Sequence, residues 1–301
     1  MSIESKLQIG GIANKIKNAE FELTHSCNLH CIHCYSKLHT GSELPTEKIL
    51  NILNELKENK IDEVHLNGGE PLIRKDLLKI VEYSEKIGMR TVLETNAILL
   101  TKPELFKSAK QLIIRASIDG PEKIHNQIRV QHSTINAFRI SMANLAAAKN
   151  AGISVQITCS INNVNHNSIY EMISQINEYG IKNIRLRLTL PVGFAADNWN
   201  ILGGLNKEDL IKLKADRDRI IKDFPDINFD LNSINRQEPK QDVRFIINPS
   251  GMVKLYNFAD FFIGDLKIET VGAILARISD TQIPENENEK IVNYLSMLGM
   301  M

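Results

Sequence analysis

The chain has 301 residues, 43% hydrophobic and 24% charged, which suits one large globular domain or one with an appendage. Its 36 basic residues balance 36 acidic ones, whereas nucleic-acid binders carry a basic excess, so no nucleic-acid partner is expected. No run is long and apolar enough to span a bilayer, and the N-terminal MSIESKLQIGG lacks the core of a signal peptide, so a cytoplasmic protein without a membrane partner is expected.

Along the chain, β-rich runs alternate with helical patterns. The strand runs are 19–24, 61–67, 90–95, 111–118, 153–161 and 183–190. TEKILNILNELKEN places Ile49, Ile52, Leu53 and Leu56 on one helix face, with Thr46 as the N-cap. DLLKIVEYSEKIG starts at Asp76 and stops at Gly88. STINAFRISMANLAAAKNAG aligns Ile135, Phe138, Met142 and Leu145 and ends at Gly152, and NSIYEMISQINEYG ends at Gly180. Six β-then-α units in a row predict an α/β fold, a partial (β/α)6 TIM-like barrel with a parallel sheet; an open doubly wound sheet is the alternative.

Alternation along the strands divides each into an apolar set and a polar set. Glu94 and Asn96 share one face, as do His65 and Asn67; Arg115, Ser117 and Asp119; Gln156, Thr158 and Ser160; and Arg185, Arg187 and Thr189. A closed barrel fills its centre with branched apolar side chains. Charge and amide in that place predict a wet lumen that binds something polar, and paired arginines suit carboxylate or phosphate. His65 reads as a lumen hydrogen bonder.

Four cysteines in such a chain argue against a disulfide scaffold and for metal or redox chemistry. Three of them, Cys27, Cys31 and Cys34, crowd into HSCNLHCIHCYS just after the first strand, the end where barrel enzymes build their sites. Three thiolates hold three irons of a [4Fe–4S] cube and leave the fourth iron open. A structural zinc site wants a fourth ligand, which His25, His30 or His33 could supply. Spacing alone does not separate the two.

The neighbouring motifs add to this. CNLHCIHC, then NGGEP at 67–71, ETNA at 94–97 and SIDGPEKIHNQIR at 117–129 resemble the radical S-adenosylmethionine (SAM) superfamily. The last segment is similar to the branch containing the pyrroloquinoline-quinone maturase and the sulfatase-maturing enzymes. The resemblance covers roughly residues 17–200. It implies one [4Fe–4S] cluster, ligated by Cys27, Cys31 and Cys34, with SAM chelating the open iron. It implies reductive cleavage of SAM to a 5′-deoxyadenosyl radical, which abstracts a hydrogen atom from the substrate. His33 takes the position that the family often gives to an aromatic residue near adenine. Gly68, Gly69 and Glu70 form the segment that meets the methionyl amino group, with glycine admitting close backbone approach. Ser117 and Arg129 are candidates for the ribose or carboxylate of SAM, and Asn96 and Ser160 for further contacts. An ordinary lumen serine and a surface helix charge are the alternatives for Ser117 and Arg129.

After residue 200 the pattern changes. NKEDLIKLKADRDRIIKDF reads as the sixth helix, and NPSG makes 243–256 a β-hairpin. The segment resembles the SPASM or twitch extension of peptide-modifying radical SAM enzymes. Tyr256 stands where that family has a cluster cysteine, so no auxiliary cluster is expected. The expected organisation is an arm at 1–18, a core at 19–205, the sixth helix with a small α+β extension at 206–284, and a terminal helix at 285–301. Cys159, the one other thiol, alternates with Val155, Ile157 and Ile161 toward the helices, which argues against a hydrogen-donating role.

The resemblance implies a ribosomally made peptide as substrate, with a polar small metabolite as the second reading and a non-catalytic iron–sulfur or zinc protein as the third. A flavodoxin- or ferredoxin-type electron donor is the expected partner. The short N-terminal arm calls for a separate leader-peptide-binding protein, if any.

Overall fold

The structure is a computed structural model and describes residues 16–36, 41–129, 135–230, 244–255 and 261–278. In chain order its elements are β1 (Asn18–Glu22), α1 (Thr46–Glu58), β2 (Glu63–Asn67), α2 (Leu77–Lys86), β3 (Arg90–Thr95), β4 (Leu112–Ser117), α3 (Glu122–Arg129), α4 (Ala137–Asn150), β5 (Ser154–Ile161), α5 (Ile169–Glu178) and β6 (Asn183–Leu188). There follow α6 (Phe194–Asp197), α7 (Trp199–Leu202), α8 (Lys207–Asp223), β7 (Asn228–Asp230), β8 (Phe245–Ile247), β9 (Met252–Lys254), β10 (Gly264–Asp265) and α9 (Val271–Arg277).

The strands form one sheet in the order β10-β9-β8-β1-β2-β3-β4-β5-β6-β7. From β8 to β7 every pairing is parallel; β9 and β10 are antiparallel. All six expected strands are present, in register as neighbours. The sheet also runs further than six strands: β7 joins the β6 edge, and the predicted hairpin, β8 with β9, joins the β1 edge. The C-terminal segment thus continues the partial barrel's own sheet.

Helices cover the outer face. Ala19, Phe21 and Leu23 of the first strand and Ile157, Cys159 and Ile161 of β5 pack into one core with Ile49, Ile52, Leu53 and Leu56 of α1 and Met142 and Leu145 of α4. This burial is the main stabilising contribution of the layer. Three helices stop at Gly88, Gly152 and Gly180, each with positive φ.

Two helix starts differ from expectation. Pro45 occupies the cap of α1, and Thr46, the first helical residue, instead donates its hydroxyl to Asp76 at 2.6 Å. α4 begins only at Ala137, because the Asn136 side chain accepts from Arg139 N, and Ile135 is left exposed outside the helix. Tyr256, the helix at 285–301 and the arm before residue 16 lie outside the described residues.

Candidate active site

The inner face is polar, as strand alternation predicts. His65 Nε2 lies 2.8 Å from Glu63 and its Nδ1 lies 3.1 Å from Glu94. Arg115, on β4, donates to Glu94 at 3.0 Å and to Gln156 at 3.2 and 3.1 Å. Burial opposes charge on His65, yet the two carboxylates outweigh it and raise the imidazole's pKa. Burial likewise opposes charge on Glu94, and His65, Arg187 and Arg115 overcome it, leaving the carboxyl well below its usual range.

At the C-terminal end of β1 the chain turns into the cysteine loop, which is held from several sides. Thr24 donates its hydroxyl to Glu43 at 2.7 Å, and His25 N donates to the same oxygen at 2.9 Å. Ile32 N donates to Ile128 O, and Ala195 N to Cys34 O, both at 3.1 Å. Ile32, Ile128, Ala195 and Leu202 form a separate small apolar cluster that seats the loop.

The segment after β2 docks on the same loop. Gly69 N donates to Thr24 O at 2.8 Å and Glu70 N to Ser26 O at 2.9 Å. A Cβ at Gly68, whose φ is +127°, would meet Thr24 O at 2.6 Å; one at Gly69 would meet Ser26 O at 2.3 Å. The close approach that these glycines permit is therefore first of all to the cysteine loop's backbone. Glu70 is buried, and its carboxylate accepts from Thr95 Oγ1 at 2.7 Å, Asn96 N at 2.8 Å and Leu72 N at 3.1 Å. Asn96 in turn donates from Nδ2 to Asn28 Oδ1 at 2.8 Å, tying the end of β3 to the loop.

Asp119 is the hub of the other side. It is fully buried just past β4. Its Oδ2 accepts from Arg129 Nε at 2.5 Å and lies 3.3 Å from His33 Nε2. Its Oδ1 accepts from Ser160 N at 2.8 Å, its carbonyl from Asn165 Nδ2 at 3.0 Å, and its own N–H donates to His125 Nδ1 at 3.2 Å. Burial would raise its pKa, but Arg129 and His33 hold the carboxyl far below the ordinary range. His125, accepting at Nδ1, is pushed down to about 3 by burial and by Arg129.

Arg129 is thus no surface charge: it is buried on the inward side of α3, with Nη1 3.9 Å from Cys31 Sγ. Burial pushes the Cys31 thiol up to about 12, with Arg129 pulling the other way, and burial raises Cys27 and Cys34 as well. Half-buried thiols whose protons are held this firmly become thiolates beside strong positive charge, such as a metal centre. His33 Nδ1, Asn67 Oδ1 and Thr158 Oγ1 are buried here without a hydrogen-bond partner.

Of the predicted residues, the three cysteines, His33, Gly68, Gly69, Glu70, Asn96 and Arg129 come together around one loop. Ser160 joins through its backbone, and Ser117 stands on the adjoining inner wall, half-buried. His33, one of the zinc candidates, lies on Asp119, and His30 is exposed. Strand alternation places Asp119 on the inner face without marking it as a site residue. Its signal was available: His125 and Arg129 are one helical turn apart in the segment that follows it. The pairing of Tyr35, just after Cys34, with Glu22 at 3.1 Å had no comparable signal.

The profile of the Radical SAM superfamily matches residues 21–190. Among curated proteins, the chain is 30% identical to the mycofactocin maturase of Mycobacterium tuberculosis over 185 residues, 60% of this chain and 46% of that one. It is 29% identical to the AdoMet-dependent heme synthase of Oleidesulfovibrio alaskensis over 182 residues, 58% and 46% of the two chains. The PqqA peptide cyclase of Bradyrhizobium diazoefficiens is 40% identical over a shorter 107 residues, 34% of this chain and 28% of that one. The chain spans about half the length of the first two relatives. Among solved structures, Streptococcus suis SuiB bound to its precursor peptide SuiA superposes with a TM-score of 0.72 at 15% identity, over 88% of this chain and 65% of that one. AdoMet-bound anSMEcpe superposes with a TM-score of 0.69 at 16% identity, over 92% and 83%. At these identities the likeness is one of fold.

Proposed function

This chain belongs to the radical SAM superfamily, and from that premise we propose that it modifies a ribosomally made peptide by hydrogen-atom abstraction, using one [4Fe–4S] cluster and SAM. The observation that carries the reading is the cysteine loop itself: three half-buried thiols at the mouth of a polar lumen, braced by the glycine segment and by Arg129. Peptide maturases among the relatives, and a fold neighbour bound to its precursor peptide, support the substrate class.

The donor set fits the cofactors. Cys27, Cys31 and Cys34 would hold three irons as thiolates, the metal taking the proton's place on each sulfur. The orphaned polar atoms of His33 and Asn67 offer hydrogen bonds to a polar guest. When bound, cluster and SAM supply one chemistry: an electron cleaves the C5′–S bond to methionine and a 5′-deoxyadenosyl radical, which takes a substrate hydrogen atom to become 5′-deoxyadenosine.

The protein's own groups position and shield. Gly68 and Gly69 hold the backbone that we assign to the methionyl amino group. Glu70, whose carboxylate is already taken by three donors, is a positioning residue. Arg129 offers its Nη1 edge on the cluster side while Nε stays on Asp119. Ser117 remains our candidate, with Arg129, for the ribose or carboxylate of SAM, His33 for the adenine, and Asn96 and Ser160 for further contacts. We read 206–284 as the sixth helix followed by a degenerate SPASM/twitch-like extension. A flavodoxin- or ferredoxin-type reductant and a separate leader-peptide-binding protein complete the proposal.

The test is anaerobic reconstitution with iron and sulfide, followed by dithionite and SAM. We expect one four-iron cluster per chain, an electron paramagnetic resonance signal that shifts with SAM, and release of 5′-deoxyadenosine. A signal indifferent to SAM with no nucleoside released would falsify the chemistry. A second cluster in the chain would overturn the reading of the C-terminal segment.

A further inference from the structure

One arginine on the inner wall stands apart. Arg115 is matched by Glu94 and Gln156, Arg185 by Asp230 at 3.4 Å, Arg129 by Asp119, and Arg244 by Glu20. Among the described residues Arg187 has no hydrogen-bonded or ion-paired partner, although it sits on the same face of β6 as Arg185, opposite buried Ile184 and Leu186.

Its register partner is Ser160. It is half-buried and feels Glu94 across the lumen, but Glu94 already accepts from His65 and Arg115. Arg187 and Arg185 also press on Arg115. The Arg187 guanidinium's own donors are therefore unspent on this wall. On neighbouring β5, Thr158 keeps a buried hydroxyl without a partner. A half-desolvated guanidinium with unused donors is costly unless something pairs with it.

We propose that Arg187 is the anchor for a substrate carboxylate: its forked donors take the two oxygens, and the Thr158 hydroxyl lies on the adjoining strand to donate a further hydrogen bond. This rests on the peptide reading above, and it specifies the peptide class: one that brings an aspartate or glutamate side chain, or its own C-terminal carboxylate, into the lumen beside the modified residue.

The reconstituted full chain with SAM is incubated anaerobically with an array of short synthetic peptides of randomised sequence, made with free and with amidated C-termini. The wild type should retain peptides bearing Asp or Glu about tenfold over those bearing Lys or Arg, the worth of one charge-assisted contact. Arg187→Glu should reverse that preference, and Arg187→Lys should keep its sign with a smaller ratio. Loss of retention on amidation alone identifies the terminal carboxylate as the ligand; persistence identifies a side chain. Iron content and the thermal unfolding midpoint establish that each variant is folded. Should Arg187→Glu fail there, Arg187→Gln takes its place and should abolish the preference. Equal charge profiles for wild type and folded variants overturn the anchor while leaving the peptide reading intact. Retention of no peptide by the wild type overturns both.

Discussion

Arg129 Nε donates to Asp119 Oδ2 at 2.5 Å, and both groups are buried. The pair holds the far end of the guanidinium beside Cys31. Buried ion pairs add little against a hydrophobic alternative, but breaking one strands a charge in a poor solvent. Here the stranded charge would sit against the cysteine loop.

Asp119→Asn should therefore cost about 3–5 kcal/mol of stability, because Arg129 keeps its charge and loses its counterion. Denaturant unfolding of the unreconstituted protein measures this. Iron retention after reconstitution should fall with it. A loss below about 1 kcal/mol would mean that water already screens the pair.

Gly69→Ala tests the docking of the glycine segment. The new methyl must displace Ser26 O, only 2.3 Å away, and so shift the cysteine loop between Thr24 and Cys27. We expect destabilisation of about 2 kcal/mol or more and a lowered iron content per chain. Gly152→Ala serves as the comparison: it also has positive φ but meets nothing within 4 Å, so it should lower stability without affecting iron retention.

The lumen network predicts a pH dependence. The pKa of His65 is raised above its ordinary 6.5 by Glu63 and Glu94, so its contribution is complete below 6.5 and is lost as pH rises through the higher folded value. Glu63 and Glu94 are depressed below 4.5; their contributions hold above 4.5 and are lost on acidification. Thermal midpoints should thus decline as pH rises above 6.5, and His65→Gln should flatten that decline. An unchanged alkaline slope in the variant would remove His65 from the account.

Cys159 is fully buried in the core, as its alternation implies, and its thiol is raised well above the ordinary range by burial and by Asp119. At neutral pH iodoacetamide should leave it unlabelled in the folded protein and react on unfolding. Cys159→Ala should cost about 1–2 kcal/mol through the small void it opens and leave 5′-deoxyadenosine formation in place. Labelling of the native chain at this position would contradict the packing.

Much of the fold was legible because strand and helix impose different periods. Ile157, Cys159 and Ile161 announce one face of β5, and Gln156, Thr158 and Ser160 the other, before any coordinate is known. Helix starts were less legible. Thr46 and Asn136 are both good caps in isolation, and only Asp76 recruiting the Thr46 hydroxyl decides that Thr46 begins the helix instead of capping it. The hairpin of β8 and β9 was legible as a hairpin but not as a neighbour of β1, since three-residue segments carry no record of their partners.

By itself the amino-acid order determined the chemistry: three cysteines within eight residues, a glycine–glycine–glutamate turn and a lumen with arginines, all local patterns that follow from spacing along one chain. The tertiary structure alone decided which of these groups are spent and which are left over. Glu70 is consumed by the end of β3, Arg129 is half committed to Asp119, and Arg187 has no ion pair among the described residues. Pairing of charges depends on distances between strands far apart in sequence, and those distances exist only once the sheet has curved around its lumen.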